Sequence, residues 1–259
     1  MMHTAIFNAL PIAPEMGQDG SLTFRRDNAS LTFDGYTARY TNGNAERSFP
    51  LLRRELPTAV KRLMDPALRP HLADPRARLP LTACMLGGAF NPPTLSHEQL
   101  ARNAADVFDV VLIIPAPDAF LTGYKGLTQG NFSIENRICM LQLAFRDCPR
   151  ILVLEPDASR TYDTLSHLAP MYRQVSLVVG ADSVRDFPNW YRHDDLIRDF
   201  SIHVAPRAGE TVEGFPALPD TGDYTRFSST QVRRRIQEGQ PFDDMVSPQV
   251  YMFLTGRSE

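Results

Sequence analysis

The chain has 259 residues, of which 43% are hydrophobic and 22% are charged, which is typical of a soluble globular protein with one large domain or one domain plus a smaller one. Its formal charge of -3 predicts no general attraction to nucleic acid or to an anionic membrane, so any phosphate must be bound at a local site. The sequence has no apolar stretch of membrane-spanning length, its N-terminus lacks the cationic flank of a signal peptide, and its three cysteines lack a metal-binding spacing. We therefore expect a cytoplasmic protein with reduced thiols.

The N-terminal part begins with an alternating pattern. Leu22 and Phe24, then Leu31 and Phe33, are spaced two apart and are separated by turn-forming residues, which predicts an antiparallel hairpin or meander. A small hairpin is marginally stable alone, and these apolar pairs have few partners within their own segment. We therefore expect them to pack on the rest of the protein or on a second subunit.

Prolines then interrupt the chain. They stand at positions 50, 57, 66, 70, 75 and 80, so only short helices fit between them, such as one over residues 58–64. We interpret this segment as a connector that wraps the surface. The sequence thus predicts an N-terminal extension over residues 1–80 and a second domain over residues 81–259.

After residue 80 the pattern changes to strand-length apolar runs that alternate with helical patterns. The runs are LTACMLGG, DVVLIIPA, ILVLEP, SLVVGAD and SIHVAPR, and the helical patterns cover residues 97–108, 134–145, 162–169 and 190–197. This alternation predicts an α/β domain with a doubly wound parallel sheet that helices cover on both faces. Because such sheets bind ligands beyond the carboxyl ends of their strands, we expect the chemistry directly after each strand.

The first unusual segment follows the first of these strands and runs from Gly87 to His97. Its two glycines let the backbone turn sharply and approach a ligand, and Thr94 or Ser96 can cap the helix that follows. Thr94 and His97 are three residues apart, so they can share a face at the helix start, where exposed N–H groups favour a phosphate. Two glycines alone would indicate only a strand–turn–helix joint, but the whole string favours a phosphate site.

The second unusual segment lies near the other end of the sequence. Ser228, Ser229 and Thr230 precede a helix whose first turns carry three arginines, Arg233 to Arg235. Hydroxyl groups, free N–H groups and guanidinium groups at one helix start suit a polyphosphate. Taken alone, the segment is equally well explained as a capped, solvated basic helix.

Together the two segments resemble the paired signatures of the nicotinate/nicotinamide mononucleotide adenylyltransferases, within the wider nucleotidylyltransferase superfamily. The family pattern is Gly-x-Phe-(Asp/Asn)-Pro-x-(His/Thr)-x-x-His, followed far downstream by Ser-Ser-Thr-x-(Ile/Val)-Arg, and both parts are complete here. Further similar segments follow in family order: Tyr124-Lys125-Gly126-Leu127, Arg137 to Met140, Thr161 to Leu165, and Gly180 to Ser183 with Asn189-Trp190. The resemblance covers about residues 82–256, implies a Rossmann-like nucleotidyltransferase fold, and leaves the first 80 residues without a counterpart.

The resemblance implies an enzyme that transfers the adenylyl group of ATP to nicotinate or nicotinamide mononucleotide and releases pyrophosphate. The implied catalytic residues are His97, supported by Thr94, at the α-phosphate and Arg233 at the departing phosphates. The other implied ATP contacts are Gly87, Gly88, Ala89, Phe90, Gly180, Asp182, Ser228, Ser229 and Thr230. The implied acceptor contacts are Asn91, Lys125, Thr161, Thr164 and Trp190, whose ring would stack on the pyridine. Mg²⁺ is expected to arrive with ATP, since few carboxylates are placed to hold it.

Two alternatives stay open. One is another transferase of the superfamily, such as one for phosphopantetheine, although Trp190 after Gly-Ala-Asp favours the pyridine branch. The other is a degenerate nucleotide sensor or scaffold that uses the extension as a partner surface, which the retention of His97 argues against. The choice between nicotinate and nicotinamide is also open, because Thr94 and Asn91 stand where the bacterial form has histidine and aspartate. Homo-oligomer formation is open as well, and Arg137, considered alone, is interpreted as a surface charge.

Overall fold

The computed structural model describes residues 2–123, 132–156, 160–205, 214–219 and 227–256, and within these ranges the strands form two five-stranded sheets. The first part of the chain contains α1 (Met2–Asn8), β1 (Glu15–Met16), β2 (Leu22–Arg26), β3 (Ala29–Phe33), β4 (Thr37–Asn42), β5 (Ala45–Pro50), a 3-10 turn (Arg53–Glu55), α2 (Leu56–Met64) and α3 (Pro70–Ala73). The second part contains β6 (Leu79–Gly88), α4 (Leu95–Ala105), β7 (Val110–Pro115), α5 (Asp118–Gly123), α6 (Ile134–Ala144), β8 (Ile151–Val153), α7 (Thr161–Leu168), a 3-10 turn (Ala169–Met171), β9 (Tyr172–Gly180), α8 (Ala181–Val184), a 3-10 turn (Phe187–Asn189), α9 (His193–Asp199), β10 (Ser201–Ala205), α10 (Ser229–Gln237) and α11 (Pro248–Thr255).

The first sheet is an antiparallel meander in the order β1-β2-β3-β4-β5, which confirms the predicted pattern. Directly opposed pairs such as Phe24 and Leu31 put the alternating apolar side chains on one face. That face packs on apolar residues of α2 and α3, among them Val60 and Leu63. The expectation that these strands lack partners within residues 1–80 is therefore wrong, because α2 and α3 complete a core inside the segment.

Helix α2 joins the two parts of the protein. One of its faces meets the meander, and another lies against β8, the edge strand of the second sheet. Thr58 Oγ1 donates to Val153 O over 2.8 Å. Lys61 Nζ donates to Ile151 O over 2.9 Å and to Phe145 O over 2.6 Å. The segment predicted to wrap the surface is thus buried at an interface, because α2 is apolar toward the meander and supplies donors toward β8.

These donors cover the edge of the parallel sheet. Alternate residues of a parallel strand face each neighbour, and β8 is bonded to β7 through Arg150 O and Leu154 N. The carbonyl groups of Ile151 and Val153 therefore point away from the sheet, where an uncovered edge would expose unpaired groups. Side chains of α2 satisfy both carbonyls. Although β6 begins next to the boundary expected near residue 80, the division into two domains stays a prediction.

The second sheet confirms the predicted doubly wound α/β fold. Its strands are all parallel, in the order β10-β9-β6-β7-β8, and buried apolar clusters cover its two faces. All five predicted runs form strands. One predicted helix is wrong at its start: α9 begins at His193, so Trp190 lies between the preceding 3-10 turn and α9. No helix in the described ranges has the length and apolar character needed to cross a membrane.

Candidate active site at the carboxyl ends of the parallel strands

The first motif forms a tight loop directly after β6. A side chain at Gly88 would be crowded, because a Cβ there would lie 3.0 Å from the ring of Phe90. Phe90 is buried and adopts a φ of 46°, a left-handed conformation that is unfavourable for a bulky residue. The Asn91–Pro92 peptide bond that follows is cis. The loop thus turns its aromatic ring inward and leaves Gly87 and Gly88 on the wall of a cavity.

Arg137 of α6 binds the backbone of this loop through a hydrogen bond. Its side chain is fully buried and donates to Ala89 O and Ala116 O, each over 2.7 Å. It also donates to Phe132 O over 3.1 Å and pairs with Asp118 Oδ1 at 2.7 Å. The interpretation of Arg137 as a surface charge is therefore wrong. A planar guanidinium has several donors in fixed directions, which suits it to tie three loop segments together.

His97 stands at the start of α4 and is oriented by Thr94, the N-cap residue of that helix. The backbone N–H of Thr94 donates to His97 Nδ1 over 3.1 Å, and Thr94 Oγ1 lies 2.7 Å from the same nitrogen. Because a backbone N–H can only donate, Nδ1 must accept, so the neutral ring carries its proton on Nε2. The ring also packs edge-on against Phe90, with centroids 5.2 Å apart. This arrangement presents His97 as a hydrogen-bond donor in a fixed orientation.

The second motif is brought against the first. Ser228 caps α10 by accepting from a backbone N–H of the first turn. Ser229 Oγ donates to Pro92 O over 2.7 Å, and Arg233 Nη1 donates to Asn91 O over 2.6 Å. The two motifs, which are more than 100 residues apart in the sequence, therefore form one structural unit around the glycine loop.

A cavity of about 490 Å³ opens beside this unit, at the carboxyl ends of β6, β7 and β9. Seven of the residues predicted for the site line it: Gly87, Gly88, Ala89, Thr161, Thr164, Gly180 and Trp190. The Trp190 ring packs edge-on against Phe187, with centroids 5.2 Å apart. A larger cavity of about 600 Å³ lies in the extension, but none of the predicted site residues line it, so we assign the chemistry to the smaller one.

Other predicted residues lie elsewhere. Asn91 is fully buried, and its Oδ1 accepts from Phe132 N over 2.9 Å, so it supports the loop from beneath and does not line the cavity. Lys125 and the side chain of Asp182 lie outside what the structure describes. Among the described residues, no group of three or more histidine, cysteine or carboxylate side chains is arranged to hold a metal ion.

The cavity also contains residues that the sequence analysis did not single out, notably Arg160, Asp186 and Tyr191. The sequence contains one signal for Arg160, which follows a predicted strand and directly precedes the Thr161 segment. The extension reaches this region through Arg54. Its Nε and Nη2 donate to the carboxylate of Glu155 over 2.5 Å and 3.3 Å, next to the cavity-lining residue Pro156.

Glu98 follows His97 on α4 but belongs to the interior. It is 5% exposed, and its Oε1 is buried with no hydrogen-bond partner among the described residues. Burial raises the pKa of this carboxyl group to about 7, and the neighbouring Ser247 opposes part of that shift. A group that titrates near neutral pH therefore lies directly beneath the start of α4.

A match to a known protein family lies within the second part of the chain. A family model described as cytidylyltransferase-like matches residues 85–235. The chain is 32% identical over 191 residues to a probable nicotinate-nucleotide adenylyltransferase of Synechococcus sp. (strain JA-3-3Ab), which covers 66% of this chain and 90% of that protein. It is 28% identical over 200 residues to a probable nicotinate-nucleotide adenylyltransferase of Carboxydothermus hydrogenoformans, which covers 67% of this chain and 95% of that protein.

Solved structures with a similar fold include the Plasmodium falciparum nicotinic acid mononucleotide adenylyltransferase. Its complex with APC aligns with a TM-score of 0.56 and 16% identity, over 68% of this chain and 95% of that chain. Its complex with NaAD aligns with a TM-score of 0.55 at the same identity and coverage. At this identity the likeness shows the fold alone. The meander and α2 lie before the range that the family model matches.

Proposed function

The chain belongs to the cytidylyltransferase-like family, and from this premise we propose that it is an enzyme that transfers the adenylyl group of ATP to a pyridine mononucleotide and releases pyrophosphate. The names of its curated relatives support this acceptor class. The observation that carries the proposal is the junction of the two motifs. The oriented His97 and the start of α10 meet at the glycine loop, which lines the cavity.

This reaction depends more on the relative positions of the two substrates than on proton transfer. A phosphate oxygen of the acceptor attacks the α-phosphorus of ATP, the bond from that phosphorus to the β-phosphate oxygen breaks, and pyrophosphate leaves. The nucleophile is already anionic, so neither a strong base nor a covalent intermediate is required. The protein therefore contributes by aligning the two substrates and by stabilising the charge that builds on the phosphates.

His97 would donate from Nε2 to an oxygen of the α-phosphate as negative charge develops there. Thr94 would keep the ring in place, because its N–H and hydroxyl both meet Nδ1. A donor held before the reaction begins loses no energy to reorganisation in the transition state. Asn91 would act indirectly, by holding the loop, in place of the direct acceptor contact expected from the sequence.

The start of α10 would receive the leaving pyrophosphate. Ser228, Ser229 and Thr230 stand at a helix N-terminus, where N–H groups and the helix dipole favour an anion. Arg233 uses one N–H group on Asn91 O and another on Thr230 Oγ1, and its remaining N–H groups can meet the β- and γ-phosphates. Mg²⁺ would enter bound to the triphosphate of ATP, where it neutralises part of the phosphate charge.

The acceptor would occupy the cavity, with its pyridine ring against Trp190 and its phosphate toward the glycine loop. Thr161 and Thr164 line the cavity at the start of α7. Lys125 and Asp182 stay in the proposal on the strength of the sequence resemblance alone. Lys125 would meet the acceptor or the triphosphate, and Gly180 and Asp182 would meet the adenosine ribose.

The test is an ATP-dependent pyrophosphate-release assay with nicotinate mononucleotide, nicotinamide mononucleotide and phosphopantetheine as separate acceptors. We expect pyrophosphate with at least one pyridine mononucleotide, together with the corresponding dinucleotide on chromatography. Release with phosphopantetheine alone would replace the proposal by the related transferase. If ATP binds but no acceptor releases pyrophosphate, the protein is a nucleotide sensor and the proposal is wrong.

A further inference from the structure

One arginine of the N-terminal extension connects two segments of the second domain that border the active site. Arg54 lies in the 3-10 turn before α2, and its Nε and Nη2 donate to the Glu155 carboxylate over 2.5 Å and 3.3 Å. Its third nitrogen, Nη1, lies 3.6 Å from Glu135 Oε1. Glu155 follows β8, whereas Glu135 belongs to the first turn of α6. A single guanidinium group therefore ties both segments to the extension.

Each of the two carboxylates stands near a residue that shapes the cavity. Glu155 directly precedes Pro156, which lines the cavity. Glu135 stands two residues before Arg137, whose guanidinium group donates to Ala89 O in the glycine loop. Arg54 can therefore affect the cavity wall beyond β8 through its direct partner, and the glycine loop through α6.

The turn that contains Arg54 is itself held in place. Gln142 of α6 is fully buried, and its Nε2 donates to Arg54 O over 3.4 Å and to Thr58 Oγ1 over 2.9 Å. At the start of the turn, Leu52 N donates to Glu55 Oε2 over 2.8 Å. The Arg54 side chain thus extends from a backbone that is fixed relative to α6.

Three carboxylates act on the Arg54 guanidinium group. The hydrogen bond with Glu155 is the main cause that raises the pKa of Arg54, and the charges of Glu135 and Glu55 add to it. Burial raises the pKa of Glu55, and the charge of Glu155 raises it further, so these two carboxylates repel each other. The side chains of Arg54 and Glu155 are only 26% and 24% exposed, so water screens these charges weakly. Without Arg54, Glu155 should move away from the other carboxylates and displace Pro156.

We infer that Arg54 is a positioning residue for the acceptor, through which the N-terminal extension fixes the wall of the active-site cavity. Arg54 does not line this cavity, and it acts through Glu155 on the position of Pro156. Because the pair with Glu155 is shorter than the pair with Glu135, the effect should fall mainly on the acceptor and less on the ATP contacts of the glycine loop. This inference rests on the proposed function.

The test measures kcat and the KM of each substrate for the full-length enzyme, with the pyridine mononucleotide that the wild type uses. Arg54→Met should raise the acceptor KM by ~10-fold, as expected for a small displacement near a substrate, and should change the ATP KM and kcat by ~3-fold or less. Arg54→Lys should recover part of the loss, because an ammonium group keeps the charge without the two-pronged geometry.

A double-variant cycle tests whether Arg54 acts through Glu155. Glu155→Gln should also raise the acceptor KM, since it removes the same ion pair from the other side. The variant with both Arg54→Met and Glu155→Gln should be no worse than Arg54→Met alone, because the two changes remove one interaction and the second also removes a repelling charge.

Lys61→Met is the matched control for a loss of stability. Lys61 also joins the extension to the second domain, through Phe145 O and Ile151 O, but neither of these residues lines the active-site cavity. This variant should lower the melting temperature at least as much as Arg54→Met does and should leave the acceptor KM unchanged.

The outcomes separate this inference from the proposed function. If the wild-type enzyme uses neither pyridine mononucleotide, the proposed function fails and this inference falls with it. If the wild type is active, the inference is wrong when Arg54→Met keeps a normal acceptor KM, when it raises both KM values equally, or when Lys61→Met raises the acceptor KM as much. Independent, multiplying effects of Arg54→Met and Glu155→Gln would also overturn it. Should Arg54→Met fail to fold, Arg54→Lys and Glu155→Gln provide the same comparison.

Discussion

A single hydrogen bond decides how His97 can act. Since Nδ1 accepts from the Thr94 backbone, the neutral ring can donate only through Nε2, and Thr94 Oγ1 strengthens this orientation. A donor is what a phosphate oxygen requires, whereas a general base would need an unprotonated nitrogen facing the substrate. The local geometry therefore fits a charge-stabilising role and not a proton-abstracting one.

We expect His97→Ala to lower kcat by ~10²–10³-fold, the usual loss when one transition-state donor is removed. The dissociation constant for ATP should change much less, because the donor acts mainly as charge builds. Rapid-quench measurement of a single turnover, with separate ATP titration, tests both parts. The control is His167→Ala, an exposed histidine on α7. Near-normal turnover of His97→Ala would mean that another group stabilises the α-phosphate.

Trp190 offers a direct reporter, because it is the only tryptophan in the chain. Stacking of the pyridine on its ring should quench its fluorescence when the acceptor is added and not when ATP is added. Trp190→Ala should raise the acceptor KM by about 10-fold or more and leave the ATP KM nearly unchanged, and Trp190→Phe should recover part of the loss. A variant that loses both affinities equally, or that unfolds at a lower temperature, would identify Trp190 as a core residue.

Contacts between residues were predictable from the sequence where both residues belong to one short segment. The Thr94–His97 pair needs only helical spacing, so its position could be expected from the order of residues alone. Arg137 could not be assigned correctly, because the carbonyl groups that it binds come from loops as far as 48 residues away. Arg160 presents the same difficulty, since the Tyr191 ring beside its guanidinium group lies 31 residues further along the chain.

At the scale of elements, α4 has the proposed donor His97 in its first turn and an ionisable side chain, Glu98, that is buried in the interior. Glu98 has a pKa of about 7 in the folded protein and an ordinary value of 4.5 when unfolded. Between these values the folded state binds the proton more strongly, so this carboxyl stabilises the fold fully below pH 4.5 and loses that contribution as the pH rises through 7. The start of α4 should therefore be less firmly packed in mildly alkaline solution.

Glu98→Gln removes this dependence, because the amide remains neutral at every pH. We expect the variant to be more stable than the wild type at pH 8, by on the order of 1–3 kcal/mol, and the difference to shrink toward pH 4.5. Urea unfolding of both proteins across this range provides the measurement. Parallel stability curves would show that Glu98 is not the titrating group. The exposed Glu46, changed to Gln, is a matched control.

The elements themselves were largely predictable. Continuous Val, Ile and Leu runs between helical patterns leave few options besides a parallel sheet, and all five strands formed as expected. The burial of α2 was not predictable in the same way, because Lys61 looks like a solvent-facing residue. Its acceptors, Phe145 O and Ile151 O, lie 84 and 90 residues further along the chain. Burial lowers the pKa of this lysine to about 8, a sign of how far it is removed from water.

In the whole molecule, the N-terminal extension covers β8, the edge strand of the parallel sheet. A chain that starts at Pro80 would keep the motif residues and, we predict, part of the adenylyltransferase activity. It would also uncover the β8 edge and the apolar surface beneath α2, so its melting temperature should fall by several degrees and its light scattering should rise with concentration. An unchanged melting temperature and a monomeric state would contradict this role.

Two smaller changes separate the edge from the rest of the extension. Thr58→Val and Lys61→Met each remove donors to β8 and keep the meander intact. If edge cover is the cause, each should lower the melting temperature of the full-length chain, and the pair should approach the effect of truncation. A truncated protein that folds normally but has no activity would instead mean that the extension reaches into the active site.

The ion pair between Arg54 and Glu155 gives the extension a second relation to the cavity. It restrains the chain one residue before Pro156, on the wall where an acceptor would lie. Ligand binding costs less entropy when this part of the cavity wall is already ordered by the ion pair. Such coupling is reciprocal, so ligand binding should in turn stabilise the ion pair. Acceptor binding should therefore slow amide hydrogen exchange in the turn at Arg53–Glu55, a segment that the ligand never touches. The exchange rate of this turn, which lies outside the range that the family model matches, would thus show whether the acceptor is bound.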